Sequence, residues 1–240
     1  MDSTSESKVV DVKVTAAIIT IIASLLAITL GVNMEVPLYG LYANTAGADT
    51  GMLTIVFSAY VIGLLPTLIF FGGVSDVFGC KRVLIFALIL SVISNILIIV
   101  QPNMHMLFVV RILQGISVAL SLGTCTAYIT EFADWSSKAA IINGLTVSIG
   151  LGSGALITSI ALYVGHSIVP TSYYIVLFIA LISTLFALFL PETAVKKNIS
   201  TGFARLPYFY IDERKYYVVE RLHFWQKASQ KERENVLLHG

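Results

Sequence analysis

Charge is scarce in this chain. Only 12% of its 240 residues are Asp, Glu, Lys or Arg, against 57% hydrophobic. Soluble domains carry about 25% charged residues. A water-facing surface on a monomer is therefore excluded, and a mean hydropathy of +0.86 places the chain in the membrane class. The net charge of +1 leaves no basis for a nucleic-acid partner. Cysteine is nearly absent: Cys80 and Cys125 have no paired spacing and no histidine cluster beside them, so neither a disulfide framework nor a metal site is expected. The histidines, His105, His166, His223 and His239, are scattered. No Walker loop, nucleotide fingerprint or catalytic triad stands in the sequence. The expectation is a protein that is not an enzyme and needs no cofactor.

What the chain does have is long apolar runs. A spanning helix takes about 20 apolar residues. Six runs qualify: Val14 to Met34, Gly51 to Ser75, Val83 to Val100, Met104 to Thr130, Ala139 to Tyr163 and Ser167 to Pro191. Within the fourth, Arg111 is the single charge. Backbone polar groups cannot stay unpaired in hydrocarbon, so each run is predicted to be a helix; the alternation of a barrel strand is missing. The first run is longer than the apolar stretch of a cleaved signal and no small-residue cleavage site closes it, so it is read as a permanent helix. The organisation expected is a segment 1–13, an all-α transmembrane domain 14–195, and a tail 196–240.

Lys and Arg lie on one side only. Lys8 and Lys13, Lys81 and Arg82, Lys138, and Lys196 with Lys197 fall in alternate connections, while Pro37 to Thr50, Gln101 to His105 and Gly165 to Thr171 hold none. By the positive-inside rule both termini are predicted to be cytoplasmic, with the protein multi-pass in the cell membrane.

Glycine separates the runs. The second holds Gly51, Gly63, Gly72 and Gly73; the fourth Gly115 and Gly123; the fifth Gly144, Gly150, Gly152 and Gly154; the third and sixth hold none. Small residues let membrane helices approach closely. Spans two, four and five are therefore predicted at helix contacts, with Gly115, Gly150 and Gly154 as packing residues, and spans three and six against lipid. Chance in a glycine-rich helix is an equal reading of the Gly150/Gly154 pair taken alone.

The break after the second span reads GGVSDVFGCKRVL, Gly72 to Leu84. Gly79 permits a left-handed or tight turn. Asp76 can accept bonds from amides at a helix start. Lys81 and Arg82 can pair with an acid on a moving neighbour, or serve only as ordinary flanking charges of a topogenic turn. The spacing G-x-x-x-D-x-x-G-x-K-R, on Gly72, Asp76, Gly79, Lys81 and Arg82, resembles the signature loop between helices two and three of the major facilitator superfamily. Val77 and Cys80 stand where that family carries further cations. "RILQG", with Arg111, Gln114 and Gly115, is similar to the family's helix-four pattern, and "LPET" at Leu190 to Thr193 resembles the end of its helix six.

The resemblance covers about residues 14 to 195 and implies the N-terminal six-helix half of a facilitator, a 3+3 repeat. It implies a cavity lined by helices one and four, and a loop that latches the inner gate. An acid followed by proline at the end of helix one, and a glycine-rich fifth span, resemble the efflux antiporters. The function implied is secondary-active transport of a small organic solute, as proton-coupled efflux by alternating access.

The charges within the runs supply candidate residues. Arg111 lies seven residues into its span, roughly 10 Å deep at 1.5 Å per residue. Glu35, in "VNMEVPLY", lies at the outer end of span one. The two runs are antiparallel, so both charges fall in the outer half, and Glu35 and Arg111 are expected to share a polar cavity, directly or through water. Glu35 at the water interface, and Arg111 bonding carbonyls of a neighbouring helix, are the structural alternatives. Asn33, Gln114 and Tyr60 are weaker candidates. Glu131 and Asp134, at the inner end of span four, read as solvated flank residues.

After Asn198 no further long apolar run follows. The mixed aromatic and basic tail reads either as a segment lying on an anionic leaflet or as foreign sequence after a truncation. Alternating access rocks one half against another, so a homodimer or a missing second half is an expected partner, across spans two and five. A non-transporting half that needs a partner chain is the alternative reading.

Overall fold

The computed structural model describes residues 3–40, 50–133, 136–165 and 171–192. The tail 196–240, Asp134 and much of two lysine-free connections lie outside the described residues. Among the described residues there are six long helices: α1 (Ser3–Asn33), α2 (Thr50–Phe71), α3 (Cys80–Val100), α4 (Met104–Ala133), α5 (Ser136–Gly165) and α6 (Thr171–Leu188). A short 3-10 turn, Val36–Leu38, follows α1, and a five-residue helix, Val74–Phe78, bridges α2 and α3. Each long helix holds a stretch apolar enough to cross a bilayer, from Val14–Leu38 at one end to Thr171–Leu188 at the other. The protein is a multi-pass, all-α membrane protein. The reason is the one the runs predicted: in hydrocarbon only a helix pairs every backbone group within its own segment. Serine and threonine hydroxyls inside the helices follow the same logic. Thr29 bonds the Leu25 carbonyl at 2.8 Å and Thr67 bonds the Gly63 carbonyl at 2.7 Å, so these polar atoms are satisfied by their own helix.

Packing follows a repeated scheme. α1 and α4 pack on each other at the centre. α2 packs on α4, and α5 on α1; α3 packs on α4, and α6 on α1; α3 and α6 touch. Exchanging α1–α3 for α4–α6 leaves this scheme unchanged, which is the contact signature of a 3+3 repeat. Side-chain bonds tie the pairs. Ser117 donates to the Ala87 carbonyl between α4 and α3, and Thr158 bonds Ser172 between α5 and α6. Tyr128 donates to the Pro191 carbonyl.

Gly63, Gly115, Gly150 and Gly154 sit where helices meet closely. A Cβ on Gly63 would collide with the Ile112 carbonyl, and one on Gly115 with the Tyr60 carbonyl. One on Gly150 would strike Thr29, and one on Gly154 the Leu30 carbonyl. The first pair joins α2 to α4; the second joins α5 to α1. The allocation of whole helices differs from expectation, however. α3 is 44% buried and α6 33%, whereas α2 and α5 are each only 22% buried. Spans three and six are thus not the least covered helices within this unit, although both also turn apolar side chains such as Phe86, Ile93, Phe178 and Leu185 outward. Glycine marks a narrow line of backbone contact, not the share of a helix that is covered. α3 and α6 use Ala87, Ser91 and Ser94, and Ala180, Ser183 and Ala187, for the same close approach. α2 and α5 turn Ile62, Leu65 and Ile69, and Leu145, Ile149 and Leu156, outward.

Candidate functional site

α1 ends at Asn33, and Glu35 lies in the turn that follows, just before Pro37. The last carbonyls of a helix have no partner within it, and the helix dipole makes that end negative. Both features invite a cation. Arg111, on the facing side of α4, donates from Nη1 to the Val32 carbonyl at 2.6 Å. Its Nε stands 3.0 Å from Glu35 Oε2. Gln114, one turn further along α4, donates from Nε2 to Glu35 Oε1 at 2.9 Å and to the Gly31 carbonyl at 3.3 Å. The guanidinium also lies over the Tyr39 ring, 5.3 Å from its centroid, a cation–π geometry.

Burial makes this cluster consequential. Glu35 is 0% exposed, Arg111 1% and Gln114 3%. A charge taken out of water is tolerated only with a partner, and leaving one partner alone costs about 3–5 kcal/mol. Arg111 also interacts with the Tyr39 hydroxyl, while Gln114 Oε1 carries no hydrogen bond. Burial, the largest influence, raises the Tyr39 phenol above its ordinary value although Arg111 is close. The cluster thus combines a buried charge pair with an unpartnered acceptor, Gln114 Oε1, that can hold a polar group.

The five cavity candidates do not all converge. Glu35, Arg111 and Gln114 come together. Asn33 instead points to α5, donating to the Leu151 carbonyl at 3.0 Å. Tyr60 is on α2, half-buried, its carbonyl against Gly115. Glu35 is not at a water interface, and Arg111 makes both the ion pair and a carbonyl bond. Glu131 side-chain placement lies outside the described residues.

The loop candidates occupy one end of the bundle. Gly79 holds a φ of 94°, the conformation its residue type permits. Gly72 packs over the Leu68 carbonyl. Asp76 stands in the first turn of the five-residue helix and is exposed; its N-cap, Gly73, has no side-chain bond. The carboxylate that reaches a helix start here is that of Glu192, not Asp76. Glu192 Oε1 accepts from the Lys81 amide at 3.4 Å, and its Oε2 stands 3.9 Å from Arg82 Nε. It also fills the space beside Gly79, where any Cβ would collide with it.

Sequence reasoning missed Glu192, although it stands in the quoted "LPET". It also missed Asn95 and Asn143. Asn95, on α3, comes to 3.3 Å of the position a Gly31 Cβ would take. Asn143 donates to the Leu122 carbonyl at 2.9 Å and to Thr126. A lone polar residue in an apolar run was the available signal for both.

Comparison with known proteins agrees with this architecture. The family model described as Major Facilitator Superfamily matches residues 16–229. The chain is 26% identical over 140 residues, 55% of its length, to the multidrug resistance protein MdtL of Shewanella sp. (strain ANA-3), of which the match covers 33%. It is 30% identical over 120 residues, 50% of its length, to monosaccharide-sensing protein 2 of Arabidopsis thaliana, covering 16% of that protein. The chain thus spans a third or less of the length of these relatives. The crystal structure of the human organic anion transporter MFSD10 (TETRAN) superposes with a TM-score of 0.52 at 21% identity, over 76% of this chain and 48% of that one. At that identity the likeness is one of fold.

Proposed function

Because this chain belongs to the Major Facilitator Superfamily, we propose that it is a secondary carrier half: it moves a small organic solute across the cell membrane by alternating access, coupled to protons and directed outward. The observation that carries this reading is the buried Glu35–Arg111–Gln114 cluster between α1 and α4. A carboxylate is the group there that can gain and lose a proton. Protonating Glu35 removes the counter-charge of Arg111, and the guanidinium must then find other partners. That change biases the packing of α1 against α4, which is how a proton can favour one orientation of the half over another. The lysines and arginines at the Gly79 end favour a cytoplasmic position for that end and an outward one for Glu35.

Efflux is favoured by the acid–proline sequence at the end of α1 and by the multidrug proteins among the relatives. The solute proposed is a small organic molecule of drug or sugar type, since the relatives include both a multidrug resistance protein and a monosaccharide-sensing protein. Rocking needs a second six-helix half. We infer that it docks on the apolar faces of α2 and α5, which are the least buried helices of the unit. The role of the 72–82 loop is to latch the inner side closed, with Arg82 and Glu192 contributing.

Reconstitution tests this. The chain is placed in lipid vesicles with an imposed pH gradient, and labelled organic cations, organic anions and sugars are offered in turn. Uptake of one class that collapses with the gradient supports the reading. Absence of movement for all classes, with the protein folded and cross-linking as a dimer, points to the non-transporting alternative.

A further inference from the structure

Between the ends of α2 and α3 lies a groove of about 580 Å³, of which the transport reading uses Arg82 and none of the apolar walls. Phe71 of α2, Phe78 of the five-residue helix, Val83 and Phe86 of α3, and Ile116 and Leu120 of α4 form its walls. Phe71, Phe78 and Phe86 are 49%, 49% and 54% exposed, so its rim is open. One charged side chain lines it, Arg82. That side chain is 77% exposed and stands 3.9 Å from Glu192, beyond hydrogen-bond distance, so most of its donors remain available.

We propose that this groove is a phospholipid site. One acyl chain lies along the aromatic walls and the phosphodiester sits on the Arg82 guanidinium. Three features select this occupant. The walls are apolar over the depth of α3 from Val83 to Phe86, roughly 5 Å of helix rise below Arg82 at 1.5 Å per residue. The cation stands at the mouth, where a headgroup phosphate must be when its chain points toward the bilayer centre. A concave apolar surface in a membrane left unfilled forfeits dispersion contacts, which a flexible chain restores. Basic pockets between transmembrane helices recognise lipid headgroups by the same chemistry. Two acids bear on the cation. Glu192 Oε2, 3.9 Å from Arg82 Nε, offsets part of its charge without reaching hydrogen-bond distance. Glu192 is engaged with the start of α3 through the Lys81 amide. Asp76 is exposed and does not line the groove. The consequence is a lipid that touches both Arg82 and the loop carrying Gly79, so that its presence steadies the connection between α2 and α3.

The test is a lipid titration of the full chain in detergent, followed by native mass spectrometry. Dioleoyl phosphatidylglycerol is compared with dioleoylglycerol, which has the same chains and no phosphate. The expected result is one retained phosphatidylglycerol per chain, bound about fivefold more tightly than dioleoylglycerol. Arg82→Ala removes that preference, Arg82→Lys keeps most of it, and Ile116→Trp, which fills the floor, weakens both lipids. Equal binding of the two lipids by the parent chain overturns the proposal. So does a preference that survives Arg82→Ala, or a Phe86→Cys chain that cross-links to a second copy through the groove. No solute or pH gradient enters the titration, so its failure is separable from failure of the transport reading.

Discussion

At the scale of the residue, Arg111 and Glu35 decide most. Each is almost wholly buried, and each is held by the other and by Gln114. Removing one charge strands its partner. Glu35→Gln and Arg111→Gln are each expected to lower unfolding stability in detergent by about 3–5 kcal/mol. The double variant is expected to lose less than the sum, leaving a coupling energy of about 1–3 kcal/mol in a cycle measured by thermal unfolding. Strict additivity there contradicts a direct pair. Gly79 makes a second residue-level case. With φ at 94° and Glu192 against it, Gly79→Ala is expected to destabilise by about 1–3 kcal/mol, read as a lower melting temperature. The charge pair was legible in the sequence because a cation in the middle of an apolar run has no cheap alternative to a partner, and Glu35 was the acid at matching depth. Glu192 was not legible in the same way. Its contact with the Lys81 amide spans 111 residues, and a glutamate at a helix end carries no local sign of a distant partner.

At the scale of the element, the six helices follow from length and hydropathy alone, because lipid leaves the backbone no other way to pair. The helix–helix contacts follow from glycine only along particular lines. Gly63, Gly115, Gly150 and Gly154 face a neighbouring backbone or side chain; Gly144 and Gly152 face open space. The contrast is testable. Gly154→Leu and Gly63→Leu force overpacking and are expected to lose about 1–3 kcal/mol or more, whereas Gly144→Leu is expected to leave the melting temperature nearly unchanged. Equal loss at Gly144 contradicts the assigned contacts. The burial of α3 and α6 was hidden in the sequence because Ala and Ser pack as closely as Gly does there, while their abundance in any apolar helix makes them weak markers. Ser91, Ser94 and Asn95 of α3 are all buried, and a polar triplet on one face of a span is the feature that indicates an inward face.

At the scale of the whole molecule, the unit is two three-helix repeats closed around α1 and α4, with a basic loop at one end and a buried charge pair toward the other. Lys81 and Lys138 are expected on the same membrane face, and Gln101 on the opposite one, by labelling single cysteines placed at those positions with an impermeant reagent in intact cells. The central claim is that Glu35, held by Arg111, couples proton movement to solute movement. The direct measurement compares parent and Glu35→Gln chains in vesicles, reading both gradient-driven accumulation of a solute and its downhill exchange. The account predicts that Glu35→Gln abolishes accumulation while exchange persists. Accumulation by Glu35→Gln at the parent level, with the same dependence on the pH gradient, contradicts it.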